Sequence, residues 1–256
     1  MKLIDTHCHL CHGRLRPQAE AALQRAAEAG VVGVICAAAD LEESLAAAGL
    51  AGGRDDVWCM AGVHPHEAKD VPADYLQRLE ALAPHPRNVA IGEIGLDYHY
   101  NFSPPAQQRR VFAEQLALAG RLGKKVVVHS REAFDDTLAV LRDSPVDAAC
   151  VLLHSCTEGA DNLARAMELG AMVSFSGIVT FSKSDELRAA AAMAPSERIL
   201  VETDAPFLSP EPVRKVKTNE PANVVHVASC LARIRGMALE QLAEITTANA
   251  VRFFGL

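Results

Sequence analysis

Short apolar runs alternate with longer amphipathic stretches along the whole chain. The runs Leu3–His7, Val31–Cys36, Val57–Val63, Val89–Ile94, Lys125–His129, Ala149–His154, Ala171–Phe175 and Arg198–Glu202 predict eight strands. Nearly continuous apolarity in such short segments is the pattern of parallel strands buried on both faces. Between them the spacing predicts helices over Pro17–Ala29, Leu41–Leu50, Tyr75–Leu82, Pro105–Leu122, Ala133–Leu141, Gly159–Leu169 and Ser184–Met193. Two more, Glu220–Arg235 and Leu239–Phe253, follow the last strand. Gly30, Gly123 and Gly170 each close an amphipathic stretch just before a strand, where a left-handed residue ends a helix. Strands alternating with helices predict βα units. Eight of them predict an α/β fold, a TIM-like (β/α)8 barrel, with residues 1–256 as one domain.

The composition agrees with a globular protein. Of 256 residues, 50% are hydrophobic and 22% charged, which is too apolar for a disordered chain. No apolar run reaches the roughly 18 residues of a membrane span, and the first residues run directly into Asp5 and His7. A cytoplasmic protein with no membrane contact and no obligate protein partner is the expectation. Seven scattered cysteines do not suggest a disulfide framework. Cys8-His9-Leu10-Cys11-His12 matches a haem-attachment pattern. It begins at a strand end, however, and buried or incidental cysteine is the expected role of all seven.

The strand ends carry the chemistry. In a (β/α)8 barrel the C-terminal strand ends converge on one mouth. Here they deliver His7 and His9, then His64 and His66, then Glu93 and Asp97, then His129, His154, Glu202 and Asp204. His7 and His9, two residues apart on a strand, share a face. They can grip one cation, and His129 with His154 a second. Glu93 stands between the pairs in strand order and can bridge them, and Asp204 closes the set. Imidazole with carboxylate suits divalent ions such as zinc or manganese. A carboxylate inside an apolar strand, as at Glu93, is costly without a partner. His66, Asp97, His99 and Arg131 are placed at or near the mouth, with Arg131 facing either the cleft or Glu132. Trp58 is expected in the core.

Asp5-Thr6-His7-Cys8-His9, Gly92-Glu93-Ile94-Gly95-Leu96-Asp97-Tyr98, Val128-His129-Ser130-Arg131 and Glu202-Thr203-Asp204-Ala205-Pro206 together resemble the TatD-type metal-dependent deoxyribonucleases of the amidohydrolase superfamily. Gly177–Phe181 and Asn219-Glu220-Pro221-Ala222 are similar to later segments of the same family, so the resemblance spans the chain. It implies a TIM-like barrel, two divalent ions (Zn, Mg, Mn or similar) and hydrolysis of DNA phosphodiester bonds by a metal-activated water. It makes His7 and His9 ligands of one ion, His129 and His154 of the other, Glu93 the bridge, and Asp204 a ligand beside the attacking water. His64 and Glu202 become supporting groups, His64 also a phosphate contact.

The stretch before Asn219 departs from the family. An arginine, a glycine and a lysine are usual there. This chain has Val213-Arg214-Lys215-Val216-Lys217-Thr218, one residue longer and without the glycine. Lys217 takes the lysine position, Lys215 falls where the arginine is usual, and Arg214 fits only with a residue looped out. With a net charge of -7 and one short basic loop, the chain is expected to neutralise few phosphates. It should therefore act on DNA ends or short single strands, in the manner of a 3′–5′ exonuclease. A same-fold hydrolase of another ester or amide, such as a D-aminoacyl-tRNA ester, is the alternative. A scaffold without turnover is a third reading, disfavoured by the cost of keeping so many buried charges.

Overall fold

The computed structural model describes residues 1–256. Its strands are β1 (Leu3–Cys8), β2 (Val31–Cys36), β3 (Val57–Ala61), β4 (Asn88–Asp97), β5 (Lys125–Arg131), β6 (Val151–Leu153), β7 (Met172–Phe175) and β8 (Ile199–Val201). The helices are α1 (Ala19–Glu28), α2 (Leu41–Gly52), α3 (Tyr75–Leu82), α4 (Pro105–Leu122), α5 (Phe134–Arg142), α6 (Ala160–Leu169), α7 (Asp185–Met193), α8 (Val224–Ile234) and α9 (Leu239–Phe254). The eight strands lie in one sheet in chain order, the connectivity of a (β/α)8 barrel. No helix is long and apolar enough to cross a membrane.

The chain divides into two compact units, Met1–Cys36 with Ser155–Leu256, and Ala37–His154. In the first, β1 pairs with β2 and β7 with β8, all parallel. The end of β1 is tied to the segment after β8: the His9 N–H donates to the Ala205 carbonyl at 2.7 Å and the Asp204 N–H to that of His7 at 2.9 Å. The fully buried Asp5 carboxyl accepts from the Thr203 N–H at 2.9 Å and the Thr203 hydroxyl at 2.5 Å. Burial pushes this carboxyl up to about 8 against those hydrogen bonds. Gly170 ends α6 in the left-handed region at φ 105°, as the sequence predicts.

The second unit runs β3-β4-β5-β6, again parallel. Helix α2 starts at Asp40, whose carboxylate accepts from the Glu43 N–H at 2.8 Å, while the Glu43 carboxylate reaches back to the Ala39 N–H. Gly123 closes α4 at φ 62°. Strand β4 is longer than its apolar run, because pairing with β5 continues through Gly95↔His129 to Asp97↔Arg131. The two glycines around Glu93 have a steric cause. A Cβ on Gly92 would meet Met60 Sδ and Val127 Cβ at 2.9 Å. One on Gly95, at φ +140°, would lie 2.0 Å from the His129 carbonyl oxygen.

Two buried glutamines of α4, seven residues apart and so on one face of the helix, grip the loops beyond β3 and β4. Gln115 accepts from the Val63 N–H at 2.8 Å and donates to its carbonyl at 3.0 Å. Gln108 does the same for Asp97, at 2.8 and 3.0 Å, and also donates to the Ser103 carbonyl. Each side-chain amide takes the place of a neighbouring strand, satisfying buried backbone groups that the sheet no longer reaches.

Candidate metal centre

Two clusters of imidazole and carboxylate occupy C-terminal strand ends, one in each unit. In the first, His7 Nε2 and His9 Nε2 are 3.2 Å apart, and Asp204 Oδ1 lies 3.7 Å from the former and 3.5 Å from the latter. His7 is fully buried and His9 nearly so. Their spacing of two along an extended chain turns both rings the same way. Asp204 reaches them from a left-handed backbone at φ 56°. Glu202 is buried beside this cluster's strands and accepts a hydrogen bond from the Ser174 hydroxyl.

The second cluster gathers around Glu93, which is 2% exposed. Its Oε1 lies 2.7 Å from His154 Nε2, 3.0 Å from His129 Nδ1 and 3.4 Å from His64 Nε2. His129 Nδ1 and His154 Nε2 are themselves 3.2 Å apart. His64 has two roles here: its Nδ1 accepts from the His66 N–H at 3.2 Å at the start of a 3-10 turn, while its Nε2 faces Glu93. Burial pushes the His64 imidazole down to about 4, outweighing the opposite pull of Glu93.

The donor sets fit divalent metal. Nitrogen and oxygen ligands about 2.0–2.2 Å from one ion stand roughly 3–3.5 Å from each other. The atoms of His7, His9 and Asp204, and those of His64, Glu93 and His129, form groups whose potential ligand atoms all lie within 4.8 Å of one another. Without a cation each set would crowd buried lone pairs and negative charge together, which is costly.

Asp97 is a further candidate that the sequence did not set apart from its neighbours. It is 1% exposed, and its Oδ2 accepts from His129 Nε2 at 3.1 Å and from His66 Nε2 at 3.0 Å. Its Oδ1 accepts from the Tyr100 N–H at 2.8 Å. Burial works against its charge, but the hydrogen bonds from His129, His66 and Tyr100 prevail and hold it well below the usual carboxylate range. Burial also lowers His129, and its bonds to Asp97 and Glu93 more than offset that, so its pKa is raised. The signal was present in the sequence: Glu93, Gly95 and Asp97 follow the two-residue period of a strand.

A carboxylate on the far nitrogen of a metal-binding histidine fixes the tautomer and aims the other lone pair. Asp97→Asn leaves an amide N–H facing a donor, since both carboxylate oxygens now accept. The expected outcome is a loss of about 10- to 100-fold in metal affinity, measured by calorimetric titration with Mn²⁺. Unchanged affinity would show that Asp97 does not position His129.

Arg131 does not pair with Glu132; its guanidinium lies over the Tyr100 ring at 4.7 Å. Glu132 pairs with His99 at 2.7 Å instead. Trp58 is only partly buried and lies beneath Arg87, at 5.2 Å, because one face of β3 at that position reaches the surface. Arg214, Lys215 and Lys217 are all exposed; Arg214 rests on Phe181 at 4.0 Å, on a loop with a turn over Val213–Val216. None of the seven cysteines forms a disulfide and six are buried, Cys8 and Cys11 among them, which removes the haem-attachment reading.

Comparison with known proteins places these clusters in context. The family model for TatD-related DNases matches residues 4–255. A metal-dependent hydrolase of Escherichia coli K12, YcfH, is 40% identical over 257 residues, covering 99% of this chain and 96% of its own length. The 3′–5′ ssDNA/RNA exonuclease TatD of Edwardsiella piscicida is 38% identical over 259 residues, 99% of this chain and all of its own. Among solved structures, the TatD homologue YjjV of Escherichia coli K12 superposes with a TM-score of 0.93 at 27% identity, over 99% of this chain and 98% of its own.

Proposed function

Because the chain belongs to the TatD-related DNase family and is therefore a metal-dependent hydrolase, we propose that it removes nucleotides from the ends of single-stranded nucleic acid, DNA in the first place. The observation that carries this reading is the pair of donor clusters, with the buried Glu93 carboxylate within 2.7–3.4 Å of three imidazoles and Asp204 within 3.7 Å of two more. We take residues 1–256 to act as one hydrolase domain. In it His7, His9 and Asp204 would hold one divalent ion, and His129 and His154 with Glu93 another.

Ions bound there would lower the pKa of a water molecule toward neutrality and screen the charge of the phosphate. The protein's own groups do the rest. Asp97 keeps the His129 ring oriented. Asp204 accepts the proton of the attacking water, and its partly exposed side chain is open to that exchange. His64 stands beside Glu93 as a phosphate contact. Lys215 and Lys217, exposed on their loop, and Arg214 beside them supply positive charge to the substrate backbone as negative charge builds on phosphorus. The net charge of -7 over the whole chain repels long polyanions, which favours strand ends over duplex interiors.

End-labelled single-stranded DNA and RNA, incubated with Mg²⁺, Mn²⁺ or Zn²⁺ and with a chelator as control, test the proposal. Stepwise shortening that the chelator abolishes is the expected result. Hydrolysis confined to a panel of carboxylic esters or amides, with nucleic acid untouched, would replace it with an ester or amide hydrolase.

A further inference from the structure

Beside the Glu93 cluster, the loop from β4 to α4 raises two aromatic rings into solvent. Tyr100 is 48% exposed and Phe102 57%, a large apolar exposure for side chains so close to buried charge. Their rings are nearly parallel, with centroids 5.2 Å apart and planes 23° from one another. The Arg131 guanidinium lies over Tyr100. His66 presents its ring to both, at 5.5 Å and 90° to Tyr100 and at 4.8 Å and 67° to Phe102.

The group is rigidly placed. The Tyr100 N–H is held by Asp97 Oδ1, Asn101 Nδ2 donates to the Tyr98 carbonyl at 2.7 Å, and Ser103 Oγ donates to the His66 carbonyl at 2.7 Å. His66 also shares the Asp97 carboxylate with His129. Two ring contacts therefore separate Phe102 from the Glu93 cluster: Phe102 to His66, and His66 to His129, whose centroids are 6.3 Å apart.

We propose that Tyr100 and Phe102, with Arg131, form a stacking platform for a nucleobase of the substrate strand, close to the bond that is cut. The inference rests on the nuclease reading of the adjacent site. Planar rings at the mouth of a phosphodiester-cleaving centre match the flat face of a base, and a guanidinium at their side matches both a base face and a phosphate. Stacking of this kind tolerates any base, because each has a π face. It disfavours duplex interiors, in which the base faces are already covered. The platform thus supplies single-strand preference without reading sequence, and it compensates for the small number of phosphate-binding cations.

The test uses end-labelled single-stranded DNA carrying an abasic nucleotide at each of the last four 3′ positions in turn, with the wild-type chain, Phe102→Ala, Tyr100→Ala and Phe102→Trp. In the wild type one abasic position should raise KM roughly tenfold while kcat moves little. Phe102→Ala and Tyr100→Ala should raise KM on intact DNA by a similar factor, and the same abasic position should then cost nothing more. Phe102→Trp should restore the wild-type KM. Additive losses, or alanine variants with wild-type KM, would overturn the platform while leaving the nuclease intact. A wild-type chain that shortens no single strand at all would overturn the nuclease reading itself, and the platform with it.

Discussion

Glu93→Gln should abolish metal-dependent hydrolysis, by about 10³-fold or more in kcat/KM, while the chain still folds. Glutamine has nearly the volume of glutamate, so the buried site keeps its packing. What it loses is the negative charge that faces the imidazoles of His64, His129 and His154 together. Metal-based stabilisation of a phosphoryl transition state is worth several kcal/mol, and each ~1.4 kcal/mol is a factor of ten. A second readout separates loss of metal from loss of fold. An ion that binds only the folded state raises the melting temperature in proportion to the logarithm of its concentration. The wild type should gain thermal stability on addition of Mn²⁺, and Glu93→Gln should gain far less. A variant that keeps both wild-type turnover and the Mn²⁺ response would remove Glu93 from the centre.

Asp204→Asn is expected to be nearly as damaging, about 10²- to 10⁴-fold in kcat, for a different reason. Asp204 combines charge, contact with His7 and His9, and a left-handed backbone at φ 56°. Asparagine is among the few side chains that adopt this conformation readily. The substitution therefore removes the proposed proton acceptor and keeps the turn, and the melting temperature without metal should stay within a few degrees of the wild type. Asp204→Val would add backbone strain and confound the two effects. Asp204→Asn with more than half the wild-type kcat would exclude the carboxylate from proton transfer.

Much of this was legible in the sequence because burial and strand order leave one-dimensional traces. The apolar runs located all eight strands, and Gly30, Gly123 and Gly170 take the positive φ values that the helix ends require. The histidines and carboxylates at strand ends do meet, as His7, His9 and Asp204 in one unit and as Glu93, His129 and His154 in the other. What the sequence hid depends on contacts between segments. Gly95 looks like a break in an apolar run, yet its missing side chain is what lets β4 pass the His129 carbonyl and carry Asp97 onward. The role of Asp97 needs His66 from another loop. The sequence offers Arg131 the charge of Glu132, whereas it lies over the ring of Tyr100, a contact that no periodicity encodes.

Gln108 and Gln115 set limits on how this scaffold can be lengthened. Each clamps one loop through a paired donor and acceptor, and both depend on standing two helical turns apart. A residue inserted between them would swing one amide about 100° around the helix axis, freeing either the loop with His64 and His66 or the one with Asp97. The same insertion at the tip of either loop would leave both clamps closed. Length variation around this centre is therefore channelled outward, into the loop crests, and kept out of the helix that measures their height.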